Sequence, residues 1–352
     1  MTPSQTSLPR SIAQTEALLC LLRGRRRLLV LTHNNPDPDS LGAAIGLRHF
    51  ASLAGLVDSR FALSGRILRA ENQEMVRQLF IDMTPIAEID AASFDCAALV
   101  DTQPGFGHTI VPVGAKVDIV IDHHVQENPP AGINPVFRDV RCEVGATSSL
   151  VTTYFREAGF IPSCEVATAL IYGIKTDTAD LSRNVSDLDM RAYDFLFPLV
   201  DREKLVTITR PRLPTAYFIT LKEALRKVRL YGSVAMCSLG VIASIEMVAE
   251  FADLLLRMQG VSAVFCGGLV DNTYFVSVRT DAGGDAWRMI GAAMVGEQGT
   301  FGGHGTVAGG SIQLVSSDTR GLRRLERRLE RNILRSVGLE GANATLLADR
   351  GD

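Results

Sequence analysis

The chain has 352 residues, 46% of them hydrophobic. A chain of this length is too long for a single hydrophobic core and about right for two domains. Its formal net charge of −3 excludes the strongly basic surface of a protein that binds long nucleic acid, so any polyanion must meet a local basic site. No apolar run approaches the roughly 18 residues of a membrane span, and the N-terminal residues lack the pattern of a secretion signal. We therefore expect a cytoplasmic protein without a membrane partner.

From residue 28 to about residue 200, short apolar runs alternate with helical patterns. Strands are predicted at 28–33, 60–63, 96–101 and 117–122, and helices at 39–55 and 71–80. Continuous apolar runs of this length are typical of strands that are covered on both faces. The pattern predicts a parallel α/β sheet in a first domain that spans residues 1–206.

A second, smaller domain is predicted after a linker at 207–215, where two prolines interrupt the periodicity. Its predicted elements are a helix at 216–230, a strand at 233–240, a helix at 245–259, strands at 261–270 and 272–280, a glycine-rich stretch around 299–310 and a strand near 311–315. This order indicates an α+β domain over residues 216–340, followed by a tail at 341–352.

The segment 319–338 is predicted to be an amphipathic helix with one apolar stripe. The stripe consists of Leu322, Leu325, Leu329 and Ile333. The arginines of this helix are expected to face outward and form a solvated surface. A phosphate-binding role for them is the alternative left open.

Acidic and imidazole side chains lie where three predicted strands end, and one more carboxylate lies where a helix ends. These residues are His33, Asp37 and Asp39 after the first strand, Asp101 and the run Asp122, His123 and His124 at two others, and Asp177 at the helix end. Ligands of open α/β sheets bind beyond the carboxyl ends of the strands, so these side chains are expected to converge. Several carboxylates at one edge repel one another unless a metal supplies the counter-charge.

The donor types favour a fairly hard divalent ion. Carboxylates and imidazoles without thiolates suit Mn²⁺ first, with Mg²⁺, Fe²⁺ or Co²⁺ as alternatives. The carboxylates of Asp37, Asp39, Asp101 and Asp177 carry the charge that two divalent ions would neutralise. Two ions about 3.5–4 Å apart can activate a water and bind a phosphoryl oxygen, so a dinuclear site is expected. The scattered cysteines are expected to be reduced, mostly buried and not metal ligands.

The motifs H-x3-D-x-D, D, DHH and GIKTDT, in this order, resemble those of the DHH phosphoesterases. FGGHGTVAGG at 301–310 is similar to the signature of the associated DHHA1 domain, and VSVRT at 276–280 is similar to the strand that carries that domain's substrate-binding arginine. The resemblance runs from about residue 20 to residue 315. It implies a parallel-sheet DHH domain, then a smaller α+β DHHA1 domain, with the active site in the cleft between them.

The resemblance also implies a role for each residue of the first domain's cluster. One ion would be bound by His33 and Asp37, the other by Asp39, His123 and Asp177, with Asp101 bridging the two. His124 would lie beside the second ion, near phosphate, and act in catalysis with Asp101 and His123, while Asp122 would orient the histidines.

Substrate binding is assigned mainly to the second domain. Arg279 and His304, with the backbone of Gly302 and Gly303, would bind a phosphate. For Arg183 and Asn184, just beyond Asp177, contact with substrate and a purely structural role are equal alternatives. His49 and His108 are interpreted as structural.

Two departures from the family pattern do not affect the expected metal ligands, but they leave the substrate preference undetermined. His33 is followed by Asn34 and Asn35, and Asp101 by Thr-Gln-Pro-Gly, where many members place an arginine soon after. In this chain the first arginine after Asp101 is Arg138.

The layout is similar to the stand-alone branch that contains oligoribonucleases (nanoRNases), pAp phosphatases and cyclic di-AMP phosphodiesterases. We expect a metal-dependent phosphodiesterase or exonuclease that converts short oligoribonucleotides or linear or cyclic dinucleotides to mononucleotides. A pAp phosphatase is the alternative, and a non-catalytic nucleotide-binding regulator is a third hypothesis. The family's pyrophosphatases carry a different second domain, which argues against that activity. The expected partners are short RNA, a dinucleotide or pAp and not long nucleic acid, and a homodimer is left open.

Overall fold

The computed structural model describes residues 10–67, 69–126, 134–314 and 319–349, apart from the side chains of His304 and Thr319. The chain divides into two compact units between Pro211 and Arg212. Each unit is built on a sheet of its own. In the described ranges, no helix is both long enough and apolar enough to cross a membrane.

The helices and strands of the first unit alternate as the sequence predicts. Its helices are α1 (Arg10–Arg23), α2 (Pro38–Leu53), α3 (Ala70–Gln78), α4 (Thr147–Ala158), α5 (Cys164–Asp177), α6 (Asp187–Leu196) and α7 (Arg202–Thr209). Its strands are β1 (Arg27–Leu31), β2 (Asp58–Leu63), β3 (Thr84–Pro85), β4 (Cys96–Val100), β5 (Val117–Asp122) and β6 (Phe137–Val140).

The sheet of the first unit has the strand order β3-β2-β1-β4-β5-β6, and the described strands all pair in parallel. Residues of β1 alternate between its two faces, so that Leu28 and Val30 join one buried cluster while Leu29 and Leu31 join another. The register pairs Leu31 with Leu99, and Val100 with Ile121. The carboxyl ends of β1, β4 and β5 therefore meet at one edge of the sheet.

The second unit is a mixed sheet with helices on both faces. Its helices are α8 (Thr215–Lys227), α9 (Glu246–Leu256), α10 (Ala286–Ala293) and α11 (Thr319–Ser336). Its strands are β7 (Arg229–Tyr231), β8 (Val234–Val241), β9 (Ala263–Val270), β10 (Thr273–Thr280), β11 (Gly299–His304), β12 (Val307–Gln313) and β13 (Thr345–Leu346). The strand order is β11-β12-β10-β9-β8-β7-β13, and among the described strands only β8 and β9 pair in parallel.

Two separate apolar clusters cover the faces of this second sheet. One contains side chains of α8 and α9, and the other contains side chains of α10 and α11. The predicted stripe of α11 is confirmed, because Leu325, Leu329 and Ile333 are at most 1% exposed and Leu322 is 9% exposed. The mixed α/β fold class predicted from the sequence is therefore correct for both units.

Some predicted details were wrong. The glycine-rich stretch, to which no strand was assigned, forms β11 and the first part of β12, which pair as an antiparallel hairpin. Residues 207–209, predicted as linker, form the last part of α7, and residues 345–346 of the predicted tail pair with β7. Half of the cysteines are exposed rather than buried. The exposed ones are Cys20, Cys142 and Cys164, and all six thiols are free.

Candidate metal centre

The first carboxylates of the site are positioned by the start of α2. Asp37 is the N-cap residue, with its side chain accepting a hydrogen bond from the backbone N–H of Ser40 (3.0 Å). Pro38 is the first helical residue, where a missing N–H costs nothing, and Asp39 follows in the first turn. This local geometry explains the D-P-D spacing, because the cap and the first turn present two carboxylates in different directions.

Asp39 is held by a second helix. The backbone N–H groups of Thr147 and Ser148 at the start of α4 donate to its two carboxylate oxygens, at 2.7 and 2.8 Å. The α4 N-cap residue, Ala146, has no side-chain cap of its own. Asp39 therefore caps α4 from a distance, and the positive end of that helix stabilises a fully buried carboxylate.

Asp101 follows β4 in a left-handed backbone conformation (φ +59°), which is uncommon for a residue other than glycine and typical of functional sites. Its side chain is 1% exposed. The hydroxyl of Ser40 donates to Oδ2 (2.6 Å), and the hydroxyl of Thr147 donates to Oδ1 (2.8 Å). Both oxygens of this carboxylate are therefore fixed in orientation.

Two histidines present Nε2 to these carboxylates because their other ring nitrogens are occupied. Nδ1–H of His33 donates to the carbonyl of Asn34 (2.9 Å), and Nδ1–H of His123 donates to the carbonyl of Val144 (3.1 Å). A carbonyl can only accept, so each ring carries a proton on Nδ1, and Nε2 is the nitrogen left to bind a metal.

The donor atoms form groups that could each hold an ion. One group contains His33, Asp37 and Asp101, and another contains Asp39, His123 and Asp177; within each group the donor atoms lie within 4.8 Å of one another. A third group joins Asp101 and His123 to His124. Asp101 Oδ2 lies 3.7 Å from His33 Nε2, and its Oδ1 lies 3.6 Å from His123 Nε2. The two oxygens of Asp101 thus face the first and second groups.

The donor set fits divalent cations. Nε2 of His123 is buried and has no hydrogen-bond partner within the described part of the chain. It lies 3.2 Å from an oxygen of Asp177 and 4.0 Å from one of Asp39. Two atoms that each bind one ion at about 2.0–2.2 Å are separated by about 3–4 Å, as these atoms are.

The shifted pKa values of the site show that its buried carboxylates favour positive charge nearby. Burial alone would lower the pKa of His123, but the contact with Asp177 and the charges of neighbouring carboxylates raise the pKa to about 11. Burial also acts to lower the pKa of His33, but the hydrogen bond and the charge of Asp37 outweigh it and raise that pKa to about 10. Burial raises the pKa of the Asp177 carboxyl to about 6. A divalent cation would release these protons and supply the positive charge instead.

A glycine allows α5 to bring Asp177 to the site. A Cβ at Gly173 would lie 3.0 Å from Cα of Asp39 and 2.5 Å from the hydroxyl oxygen of Ser148. Only glycine permits this approach of α5 to the starts of α2 and α4. Asp177 is the last residue of α5, as the sequence predicts.

Asp122 orients the histidine pair through one oxygen and contacts Gln103 through the other. Oδ1 accepts from the backbone N–H of His123 and from Nδ1 of His124, both at 2.8 Å. Oδ2 accepts from the side-chain amide of Gln103 (2.8 Å), and the carbonyl oxygen of that amide accepts from Arg138 (2.7 Å). The departure after Asp101 has a physical explanation here, because Gln103 connects the distant Arg138 to Asp122.

The residues assigned to substrate are placed as follows. The guanidinium of Arg183 donates to the carbonyl of Asp177 (3.4 Å), and Asn184 has a left-handed backbone (φ +53°). In the second unit, Arg279 is 9% exposed, and its Nε donates to Asp253 (2.5 Å). The register aligns Arg279 with Val307 and Val307 with His304, whose side chain lies outside the described part.

The two glycines of the assigned phosphate site lie in β11. Gly303 has φ +148°, and a Cβ there would lie 2.4 Å from the carbonyl oxygen of Val307, so this position requires glycine. At Gly302 an added Cβ would meet no atom within 4 Å. Phosphate binding by these residues stays a prediction.

Several residues around the site were not found from the sequence. They are Ser40, Thr147, Ser148, Gln103, Phe106 and His108. The string Ala-Thr-Ser-Ser at 146–149 carries the helix-start signal of serine and threonine that would have located α4. His108, interpreted as structural, is exposed with its ring centroid 5.7 Å from that of His33. The structural interpretation of His49 agrees with its stacking on Phe155 and its bond from the backbone of Ser163 (3.2 Å).

The fold of the first unit is a parallel α/β domain with a cluster of metal-ligand type at the edge of its sheet. Residues 27–174 match the DHH family, N-terminal domain.

Two curated relatives and one solved structure extend the comparison. The uncharacterized protein MJ1633 of Methanocaldococcus jannaschii is 34% identical over 321 residues, 89% of this chain and 64% of that protein. A probable manganese-dependent inorganic pyrophosphatase of Streptococcus suis is 31% identical over 157 residues, 43% of this chain and 48% of that protein. The chain thus spans less than two thirds of either relative.

The solved structure is that of an exopolyphosphatase-related protein from Bacteroides fragilis. It superposes with a TM-score of 0.70 at 17% identity and covers 92% of this chain and 98% of its own. At this identity the likeness shows the fold, and it extends over most of both units.

Proposed function

We propose that this protein is a metal-dependent phosphoesterase that hydrolyses short oligoribonucleotides or linear or cyclic dinucleotides to mononucleotides. The observation that carries the proposal is the sharing of Asp101. Its two oxygens face two separate groups of carboxylate and imidazole donors, at 3.7 Å from His33 Nε2 and 3.6 Å from His123 Nε2. A carboxylate between two such groups can bridge two neighbouring ions.

The roles follow from the donor groups. His33 and Asp37 would hold one ion, Asp39, His123 and Asp177 would hold the other, and Asp101 would bridge them. Manganese is the preferred ion, because the donors are carboxylates and imidazoles and because the Streptococcus suis relative is called manganese-dependent. When bound, the ions supply Lewis-acid stabilisation of phosphoryl charge and lower the pKa of water.

The chain's own residues position these ligands and bind the substrate. Ser40 and Thr147 orient Asp101, and the start of α4 orients Asp39. His124, whose Nδ1 is held by Asp122, would face the reacting phosphate. Arg279 and His304 would hold a second phosphate or a terminus, and this division of labour is part of the proposal.

A substrate panel tests the proposal. The purified protein with Mn²⁺ is assayed against a linear dinucleotide, a cyclic dinucleotide, pAp, a 24-nucleotide RNA and inorganic pyrophosphate, with the chelated protein as control. We expect the highest kcat/KM for a dinucleotide. Preference for pAp would favour the phosphatase alternative, and hydrolysis of pyrophosphate alone would overturn the proposed substrate class. Failure to hydrolyse any of the five would contradict the proposed activity.

A further inference from the structure

The loop after β4 places two aromatic rings beside the candidate metal centre. Phe106 and His108 stack with ring centroids 5.3 Å apart and planes inclined by 30°. Phe106 is half-buried and His108 is exposed. We call this pair the ring wall.

The ring wall contacts histidines of two different donor groups. The ring of His108 meets that of His33 edge-on at 5.7 Å, and the ring of Phe106 meets that of His124 edge-on at 6.4 Å. His33 belongs to the first donor group and His124 to the group with Asp101 and His123. A molecule with its phosphate at the metal centre would therefore have the ring wall within one ring's distance.

Hydrogen bonds hold the loop in this position. The carbonyl of His108 accepts from the backbone N–H of Asn34 (2.7 Å), and the hydroxyl groups of Thr102 and Thr109 are hydrogen-bonded across the loop. Gln126 donates to the carbonyl of Pro104 (2.7 Å). The wall is therefore preorganised, and its backbone bonds do not depend on the side chains of Phe106 or His108.

We infer that the ring wall is a nucleobase subsite, in which a base of the substrate stacks on Phe106 or His108 while an adjacent phosphate lies at the metal centre. This inference rests on the proposed function and adds a specificity element to the same site. Phosphate and metal donors recognise any phosphate ester, whereas a partly exposed pair of stacked rings offers a surface for a flat, aromatic group. Base stacking on aromatic side chains tolerates all four bases, so the subsite would select nucleotides over inorganic phosphates without selecting a sequence.

Abasic substrates test the inference. Hydrolysis of a linear dinucleotide is compared with that of its two single-abasic analogues, in the Mn²⁺-loaded wild type and in Phe106→Ala, Phe106→Leu, His108→Ala and His108→Phe. We expect the wild type to prefer the full dinucleotide over one abasic analogue by about 5- to 150-fold in kcat/KM, equivalent to stacking at about 1–3 kcal/mol per base. Phe106→Ala should lower kcat/KM for the full dinucleotide and leave that for the sensitive analogue nearly unchanged. Phe106→Leu keeps apolar volume without a ring and should resemble Phe106→Ala, whereas His108→Phe should keep more of the preference than His108→Ala.

Phe80→Ala is the matched control, because Phe80 is 80% exposed and lies in the first unit outside the site. Binding of a 2-aminopurine mononucleotide, followed by quenching of its fluorescence, gives a readout that does not require hydrolysis. Reduced quenching in Phe106→Ala supports the subsite even where the dinucleotide is a poor substrate. Equal losses for full and abasic substrates in Phe106→Ala, or no abasic penalty in the wild type, would overturn the inference and leave the ring wall as support for the loop. Absence of hydrolysis in the wild type, with normal quenching, would instead count against the proposed activity.

Discussion

Substitution of Thr147 by valine should weaken the binding of one ion more than that of the other. Valine keeps the shape of threonine but removes the hydroxyl that donates to Asp101 Oδ1 (2.8 Å). Asp101 Oδ2 keeps its bond from Ser40 (2.6 Å). Because Oδ1 faces His123 and Oδ2 faces His33, the loss should affect mainly the ion held by Asp39, His123 and Asp177.

The expected loss of Mn²⁺ affinity follows from the hydrogen bond that the substitution removes. A hydrogen bond to a charged group contributes about 1.5–3 kcal/mol, and removal of an outer partner of a metal ligand typically lowers affinity about 10- to 100-fold. Titration calorimetry of the chelated protein with Mn²⁺ would measure it. We predict that one of two binding events in Thr147→Val weakens by this factor, while the other changes by less than about threefold.

Thr153→Val is the matched control for this substitution. Thr153 lies in the same helix, is 1% exposed, and donates its hydroxyl to the carbonyl of Ser149 (2.9 Å). It should lose stability without losing Mn²⁺ affinity. Equal affinity losses in both variants, or unchanged binding in Thr147→Val, would refute the positioning role of Thr147.

Three further predictions concern the metal, the second unit and the substrate. Asp101→Ala should abolish hydrolysis and reduce the bound metal measured by elemental analysis, with a native circular dichroism spectrum; full metal content would contradict the bridging role. Arg279→Ala should lower kcat/KM about tenfold to a hundredfold through KM, since it would remove the charge-assisted phosphate bond that we propose for Arg279, and it should leave metal content unchanged; loss of metal would be evidence against its assigned role. The value of kcat/KM should fall steeply from 2- and 5-nucleotide to 10- and 24-nucleotide RNAs, with a shallow salt dependence; equal cleavage of the longest RNA would point to a processive exonuclease.

The sheet of the first unit and its donor residues were predictable because both leave local signals. Apolar runs such as 96–101 mark strands that are buried on both faces, and acidic or imidazole residues at their ends converge in any parallel sheet. The start of α2 was also predictable, since Asp37 and Pro38 are typical cap and first-turn residues.

The residues that support the donors could not be found in this way. Gln103 acts through Arg138 and Asp122, which follow it by 35 and 19 positions, and no local pattern connects them. The position of His108 beside His33 depends on the path of a whole loop. β11 and the first part of β12 were missed because glycine is unfavourable in strands, whereas at Gly303 the close approach of Val307 leaves no room for a Cβ.

The central claim is that hydrolysis requires two ions held by the groups that share Asp101. Its most direct test is titration of the chelated protein with Mn²⁺, with bound metal per chain and hydrolysis of a linear dinucleotide measured on the same samples. We predict that activity returns as occupancy rises from one to two ions per chain. Full activity at one ion per chain, or activity that survives complete chelation, would contradict the claim.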